Sequence, residues 1–184
     1  MNEFVEKHKH DVLQATQYSE FLPSVMMAQA IIESGWGNSE LASIYNNYFG
    51  EKTGKDWKGE TVDYQTDEFG GGKYYTITDT FRVYPSKYAG FKGHIDFLNN
   101  YSRYDRVLKK ETAEGQARAL QQAGYATAPN YADILIRTIN RYNLKELDDK
   151  VHKMKFLNKI IVVFGLLYAG LLAYRAYMKY VKKV

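Results

Sequence analysis

Glu33 is the residue in this sequence whose type and position best suit acid–base chemistry. It closes a segment that begins at Pro23 and is apolar nearly all round, and the turn-prone tetrapeptide Ser34–Gly37 follows it directly. Burial against apolar side chains disfavours an ionised carboxylate and raises its pKa, so a proton remains available near neutral pH. A Glu in this setting could protonate a leaving oxygen. A Glu exposed at a frayed helix end fits the spacing equally well.

The segments around Glu33 predict helices. Pro23 suits the first turn of the apolar helix, and the preceding residues predict an amphipathic helix that reaches about Tyr18. Ser86 is expected to cap a helix whose apolar residues recur at three- and four-residue spacing. Two further helices are expected, one at Thr112–Gln122 and one from near Pro129.

A change of period between these helices predicts a small β lobe. The β-prone stretches Thr61–Thr66 and Tyr74–Thr78 flank the glycines Gly70–Gly72, which is typical of a β-hairpin. Helices packed around a small hairpin make an α+β domain, and the last helical pattern ends near Leu147.

Four motifs, in order, make the segment from about Phe21 to Leu144 resemble the glucosaminidase domains of glycoside hydrolase family 73. They are AQAIIESGWGNSELA, NNYFGEK, the stretch from TDEF through GGG to FRVYPS, and GYATAPNYADILIRTI. The resemblance implies a lysozyme-like α+β fold. It also implies hydrolysis of the β-1,4 bond between N-acetylglucosamine and N-acetylmuramic acid in peptidoglycan, without a cofactor.

The same resemblance implies catalytic roles for three residues. Glu33 matches the general acid, Glu68 on the β lobe, with Asp67 beside it, matches a second carboxylate, and Tyr131 matches a tyrosine that faces the cleft. Glycoside hydrolysis generally uses two carboxyl groups that flank the scissile bond. Glu68 can join Glu33 only if the hairpin closes over the sugar, and the glycine-rich tip suits such a motion.

A further group of residues is expected to bind the sugar or shape its groove. They are Trp36 beside the acid, Asn47 and Phe49 from NNYFG, and Phe81, Tyr84 and Ser86 from FRVYPS. Tyr48 is a mild departure, because many relatives have Leu there. The chain contains 17 Tyr, a side chain with an apolar face and a polar tip that suits sugars and membrane interfaces alike.

Composition excludes several other chemistries. The chain has no Cys, so it has no disulfide, thiolate nucleophile or Cys-type zinc site. The four His are scattered outside any HExxH frame; His8 and His10 could form a two-ligand clip, but solvated positions on a helix face explain them better, and no metal site is expected. Residues 1–147 carry 17 basic and 19 acidic residues, and residues 148–184 carry 8 and 2. The basic charge therefore belongs to the tail, which argues against nucleic-acid binding.

The C-terminal segment predicts one transmembrane helix. Residues 160–174 are uninterrupted by charge, and 156–178 is long enough to cross a bilayer, with Lys159 and Arg175 able to extend towards the headgroups. The expected organisation is a catalytic domain at 1–147, a charged linker or solvated helical stalk at 148–155, the membrane helix, and a basic tail at 179–184. A buried terminal helix is the alternative.

Small residues recur every four positions in the predicted membrane helix. Gly165, Ala169 and Ala173 form a pattern that permits close approach of a second helix in lipid, and hence a homodimer.

These observations together predict a single-pass membrane protein whose catalytic domain faces the cell wall and cleaves peptidoglycan. The first ten residues lack the apolar stretch of a signal peptide. Five basic residues precede the apolar run and four follow it, which leaves the orientation open. A phage with a membrane, opening the host wall at entry, would suit such a protein; a prophage, plasmid-transfer or host membrane protein would look the same. The alternatives are a lytic transglycosylase, which forms 1,6-anhydro ends, and a membrane-docked wall-binding module.

Overall fold

The computed structural model describes residues 2–54, 57–70 and 73–181, with side chains at all of these except 66–70, 73–75, 176–177 and 179–181. The described elements are α1 (Glu3–Thr16), α2 (Pro23–Glu33), α3 (Glu40–Ser43), β1 (Thr61–Gly70), β2 (Lys73–Arg82), α4 (Lys87–Asn100), a 3-10 turn (Ser102–Tyr104), α5 (Asp105–Leu108), α6 (Ala113–Gln122), α7 (Tyr131–Arg141) and α8 (Lys145–Val181). This mostly helical fold with a small antiparallel sheet confirms the predicted α+β class.

Helix α2 forms the centre of the domain. Pro23 occupies its first turn, and every residue from Pro23 through Ile31 is buried. The helix packs against α1, α6, α7 and α8, so no face of it is left to solvent until its C-terminal end. Each fully buried apolar side chain of this kind contributes roughly 1.5–3 kcal/mol. Because α2 is apolar on nearly every face, it forms the buried central helix of the domain, and Glu33 is its last residue.

Strands β1 and β2 pair antiparallel to form the hairpin. The register runs from Thr61 opposite Arg82 to Gly70 opposite Lys73, which makes both strands longer than the sequence predicts. The next two glycines, at the predicted tip, lie outside the described residues. The base of the hairpin is joined to the loop after α3, because Arg82 N donates to the Glu51 carbonyl oxygen at 3.0 Å and Thr53 N donates to the Thr80 carbonyl oxygen at 3.0 Å.

Helix α8 is continuous from the domain into the apolar segment. Leu147 and Val151 are buried, and Asp148 accepts hydrogen bonds from the Ser24 backbone N–H at 2.9 Å and hydroxyl at 2.7 Å. The segment 148–155, predicted as a charged linker or solvated stalk, is therefore helical, and one of its faces is docked on the domain. Only its other face is solvated, so the predicted stalk is solvated in part.

Between Phe156 and Tyr174 most of the large apolar side chains of α8 are exposed. Phe156, Phe164 and Leu166 are each more than 60% exposed. Among the described residues, this is one helix whose length and composition would allow it to cross a membrane.

His8 lies in the interior, which corrects the prediction of a solvated helix-face residue. Only 3% of its surface is exposed; its Nδ1 lies 2.8 Å from the Phe4 carbonyl oxygen and its Nε2 lies 3.0 Å from the Tyr48 hydroxyl. The sequence pattern missed this position because Tyr48, the partner that satisfies the imidazole, comes from a distant loop. His10 on the same helix is exposed, as expected.

Candidate active site

A tight turn leaves Glu33 accessible at the end of α2. Gly35, Trp36 and Gly37 have φ angles of 56°, 64° and 75°, all in the left-handed region. Ser34 stabilises this turn, because its hydroxyl oxygen accepts a hydrogen bond from Gly37 N at 2.7 Å. A side chain at position 37 would also collide with Phe4, since a Cβ there would lie 2.8 Å from the Phe4 ring. The chain thus turns away from α2 and leaves the Glu33 residue exposed.

Tyr131 is the direct partner of the Glu33 carboxyl group. It is the first residue of α7, is 4% exposed, and donates its hydroxyl proton to Glu33 Oε1 at 2.7 Å. On its other side the same oxygen accepts a hydrogen bond from Gln29 Nε2 at 3.0 Å. Two residues predicted as catalytic, Glu33 and Tyr131, are therefore in contact across 98 positions of sequence.

The environment of Glu33 favours its protonated form. Although the residue as a whole is exposed, protein atoms around its carboxyl group partly desolvate it, and this raises its pKa above the ordinary value. The Tyr131 hydrogen bond and the charge of His94 act in the opposite direction. A carboxyl group whose pKa is raised and that has solvent on one side meets the requirements of a general acid.

A buried polar group behind Tyr131 was not found by sequence reasoning. Gln29 and His94 are fully buried, Glu51 is 5% exposed, and all three are joined by hydrogen bonds. Two signals were present in the sequence: a Gln four positions before Glu33 in an apolar helix, and a His within the apolar face of α4. Neither residue carries a pattern that identifies its partners, because the contacts join separate elements.

Asn47 and Tyr84, predicted to shape the groove, form the buried link between the helical domain and the hairpin. The Asn47 side chain donates to the backbone carbonyl oxygens of Glu51 at 2.9 Å and Arg82 at 3.0 Å. The Tyr84 hydroxyl donates to Glu51 Oε2, which also lies 3.3 Å from Arg82 Nη1. The structure therefore gives Asn47 and Tyr84 buried positions that connect the helical domain to the base of the hairpin.

The other predicted groove residues are divided between the interior and the surface. Phe49 is buried and stacks on His94 with ring centroids 3.7 Å apart, and Phe81 is buried at the base of the hairpin. Ser86 is exposed and caps α4, because its hydroxyl oxygen accepts from Ala89 N at 3.1 Å. Its observed role is therefore to begin a helix.

Trp36 lies at the surface beside Glu33 and lines an open cavity of about 620 Å³ between α2 and α7. Its ring packs edge-on against Tyr142, with centroids 4.8 Å apart. Ile32, which directly precedes the acid, and Gly35, two positions after it, also line this cavity, together with Arg137. The cavity therefore offers an aromatic face and polar groups next to the acid, which suits a sugar chain.

Glu68, the predicted second carboxylate, lies on β1 opposite Tyr75. Its side chain lies outside the described part of the structure. Within the residues that the structure describes, no cluster of three or more His, Asp or Glu could hold a metal ion. The chemistry that these residues support is proton donation by a carboxyl group held by a tyrosine.

A helical domain with a hairpin lobe and an accessible acid at the end of a buried helix defines a lysozyme-like glycoside hydrolase. The family model for glucosaminidase, described as mannosyl-glycoprotein endo-beta-N-acetylglucosaminidase, matches residues 9–144. The chain belongs to the glucosaminidase family. This confirms the family, the fold class and the enzyme class predicted from the sequence.

Two curated relatives and one solved structure illustrate the family. The chain is 41% identical over 133 residues to exo-glucosaminidase LytG of Bacillus subtilis, covering 70% of this chain and 46% of that protein. It is 35% identical over 148 residues to peptidoglycan hydrolase FlgJ of Escherichia coli K12, covering 78% and 47%. The catalytic domain of the autolysin Auto from Listeria monocytogenes superposes with a TM-score of 0.71 at 31% identity, covering 79% of this chain and 85% of that one. The chain thus spans about half the length of the two curated relatives.

Proposed function

We propose that this protein hydrolyses peptidoglycan at the β-1,4 bond between N-acetylglucosamine and N-acetylmuramic acid, with Glu33 as general acid. The observation that carries the proposal is the accessible Glu33 carboxyl group, with a raised pKa and a 2.7 Å hydrogen bond from Tyr131, beside an open cavity. The names of the relatives support the substrate, since one is called a peptidoglycan hydrolase and another an exo-glucosaminidase.

In the proposed reaction Glu33 gives its proton to the bridging oxygen as the glycosidic bond breaks. The carboxylate that forms is stabilised by the Tyr131 hydroxyl, which already donates to it. Water then completes hydrolysis by adding to the anomeric carbon of N-acetylglucosamine. Glu68 is proposed to activate or position that water when the hairpin closes over the sugar, since glycosidases generally place a second carboxyl group across the ring.

A lytic transglycosylase is the second candidate, because one observation favours it. Among the described residues, Glu33 is the carboxyl group that Tyr131 holds next to the cavity-lining Ile32, and a transglycosylase needs a single catalytic Glu. That reaction uses an internal hydroxyl group of the muramic acid as nucleophile and leaves a 1,6-anhydro end. The two reactions differ by one water in the product, so mass measurement separates them.

We also propose that α8 anchors the protein in a membrane with the catalytic domain facing the wall. The apolar part of α8 is exposed, and its basic flanks suit lipid headgroups. The helix docks on the N-terminal end of α2 through Asp148 and Ser24, whereas Glu33 lies nine residues further, roughly 14 Å along α2 at 1.5 Å per residue. The active end of the domain would therefore point away from the point where α8 leaves it.

We further propose that the protein forms a homodimer through α8 and that it belongs to a phage virion. Gly165, Ala169 and Ala173 lie along one side of α8, at a spacing that would let a second copy approach closely. A phage virion with a membrane is the proposed setting, since an anchored wall hydrolase could open the host wall there. Crosslinking in detergent tests the first, and the protein content of purified virions tests the second.

The experiment for the activity uses the full chain in mild detergent on purified peptidoglycan. Borohydride reduction followed by mass spectrometry should give glycan fragments that end in reduced N-acetylglucosamine. Fragments ending in anhydro-muramic acid would establish the transglycosylase instead, and intact glycan would contradict both. Glu33→Gln is the inactive comparison, and Glu114→Gln, which makes the same substitution at an exposed ion pair with Lys145, is the matched control.

A further inference from the structure

A continuous chain of hydrogen bonds leads from Glu33 through the protein interior towards the hairpin. Behind Tyr131, the Gln29 carbonyl oxygen Oε1 lies 3.2 Å from His94 Nε2. On the far side of the imidazole, His94 Nδ1 lies 2.9 Å from Glu51 Oε1. These groups come from α2, α4 and the loop after α3, and they meet behind the acid.

We propose that Gln29, His94 and Glu51 are positioning residues that form a chain of aligned hydrogen bonds, here called the relay. The relay keeps the Tyr131 hydroxyl donating to Glu33 and stabilises the carboxylate that remains when Glu33 has transferred its proton. The inference rests on the proposed function and deepens it, because it assigns a role to buried residues that do not touch the sugar.

The orientation of the Gln29 amide sets the direction of the relay. With Nε2 towards Tyr131 and Oε1 towards His94, the amide donates to the tyrosine oxygen and accepts from the imidazole. The tyrosine proton is then free to point at Glu33. If the amide were reversed, its oxygen would face the tyrosine and would take that proton away from the acid.

The surroundings of His94 match this direction. Glu51 already accepts from Tyr84 and Arg82 through Oε2, which suits a carboxylate, so His94 Nδ1 donates to Oε1 while its Nε2 donates to Gln29. His94 is 0% exposed, so the polarity of these hydrogen bonds acts through little screening.

The aromatic neighbours add no charge that opposes the relay. Phe49 stacks on the His94 ring, and the edge of Tyr125 packs against it with centroids 5.8 Å apart. Burial raises the pKa of Tyr125 well above its ordinary value, so its hydroxyl stays neutral. Among the described residues, the charged or titratable groups that face the pair of Glu33 and His94 are therefore Tyr131, the neutral Tyr125, Glu51 and, behind it, Arg82.

The relay acts when the charge on Glu33 changes. As the O–H bond of the acid breaks, its proton moves to the leaving oxygen and the electron pair of the glycosidic bond follows to that oxygen. Glu33 then carries a full negative charge. A row of donors already aligned towards it stabilises that charge without reorganisation, as catalytic electrostatic groups generally do.

Two substitutions of Gln29 of nearly equal size separate polarity from packing. In Gln29→Glu the new carboxylate accepts from both His94 and Tyr131, so the hydroxyl proton turns away from the acid. In Gln29→Met the relay is cut, but Tyr131 has no competing acceptor and keeps donating to Glu33. We expect Gln29→Glu to lower kcat by about tenfold or more and Gln29→Met by about threefold, with KM little changed in either.

The pH profile and the melting temperature provide readouts that a packing role would not produce. In Gln29→Glu, Glu33 no longer accepts the tyrosine hydrogen bond and has a second carboxylate nearby, so its pKa should rise. The alkaline limb of the pH–activity profile of this variant should therefore move to higher pH. The buried carboxylate pairs with His94, so this variant should melt no lower than Gln29→Met although it is the slower enzyme. Equal activity in the two variants, activity that follows melting temperature, or an unmoved alkaline limb would overturn the relay. A parent protein with no glycan cleavage would instead overturn the proposed function.

Discussion

Replacing Tyr131 by Phe removes one oxygen atom from the site and breaks two hydrogen bonds. The first is the donation to Glu33 Oε1 at 2.7 Å, and the second is the bond that the same oxygen accepts from Gln29 Nε2 at 3.0 Å. The ring itself remains, and its stacking on Tyr125, with centroids 5.7 Å apart, should be kept. The substitution is therefore a local test of what the hydroxyl group contributes.

The expected loss follows from the charge on the acid. A hydrogen bond to a charged group contributes about 1.5–3 kcal/mol, and the Glu33 carboxylate exists only as the proton leaves. Every 1.36 kcal/mol is a factor of ten in rate, so kcat should fall by about 10- to 150-fold. Gln29 Nε2 loses its partner in the interior, which should lower the free energy of unfolding by about 1–3 kcal/mol.

The pH dependence has a definite sign. The Tyr131 hydrogen bond lowers the pKa of Glu33 against the stronger effect of desolvation, so its removal should raise that pKa further. The acid form is the active one, and activity falls as pH rises through its pKa. The variant should therefore be slower than the parent at every acidic pH. Its activity, relative to its own maximum, should persist to a higher pH than that of the parent.

The assay is release of reducing ends from purified glycan strands across a pH series, with a melting curve at each pH. Tyr142→Phe, at a residue whose ring packs on Trp36, is the control for loss of a tyrosine hydroxyl near the cavity. A Tyr131→Phe enzyme within about threefold of the parent rate, or one whose alkaline limb moves to lower pH, would refute this account of the site.

Three further predictions concern Glu33, the contact between Ser24 and Asp148, and the C-terminal part of α8. Because desolvation raises the pKa of Glu33, ionisation of this residue costs the parent protein stability as pH rises through that pKa. The melting temperature of Glu33→Gln should therefore increase relative to that of the parent from acidic to alkaline buffer. A difference in melting temperature that stays constant with pH would contradict this. Ser24→Ala removes a 2.7 Å hydrogen bond to half-buried Asp148 and should lower the free energy of unfolding in denaturant by about 1–2 kcal/mol without slowing cleavage of glycan. A chain ending at residue 158 keeps the docked part of α8 and should remain in the aqueous phase of a detergent partition and cleave glycan, whereas the full chain should enter the detergent phase; full-length protein in the aqueous phase would contradict the anchor.

Local sequence pattern was sufficient for the elements that position the acid. The all-round apolar run after Pro23 predicted a buried helix, and the glycine-rich turn after Glu33 marked its end. The β-prone stretches predicted the hairpin, although the strands extend to Gly70 and Arg82. Such signals succeed because each depends on neighbours only a few positions away.

The relay behind the acid could not be predicted in the same way. His94 sits on an apolar helix face, where it looks like an ordinary core residue until Glu51 and Gln29 are brought to it from other elements. The docked part of α8 was missed for a related reason. Its charged sequence suggested solvent on all sides, yet Val151 fills the core and Asp148 finds its partner on α2.

Cleavage of peptidoglycan in water enriched in ¹⁸O tests the central claim most directly. If Glu33 protonates the leaving oxygen and water completes the reaction, each new N-acetylglucosamine end, reduced at once with borohydride, should carry one ¹⁸O, and Glu33→Gln should release about 10²- to 10⁴-fold fewer such ends. New ends that carry no ¹⁸O and have the mass of anhydro-muramic acid, or a Glu33→Gln protein that releases ends as fast as the parent, would contradict the account.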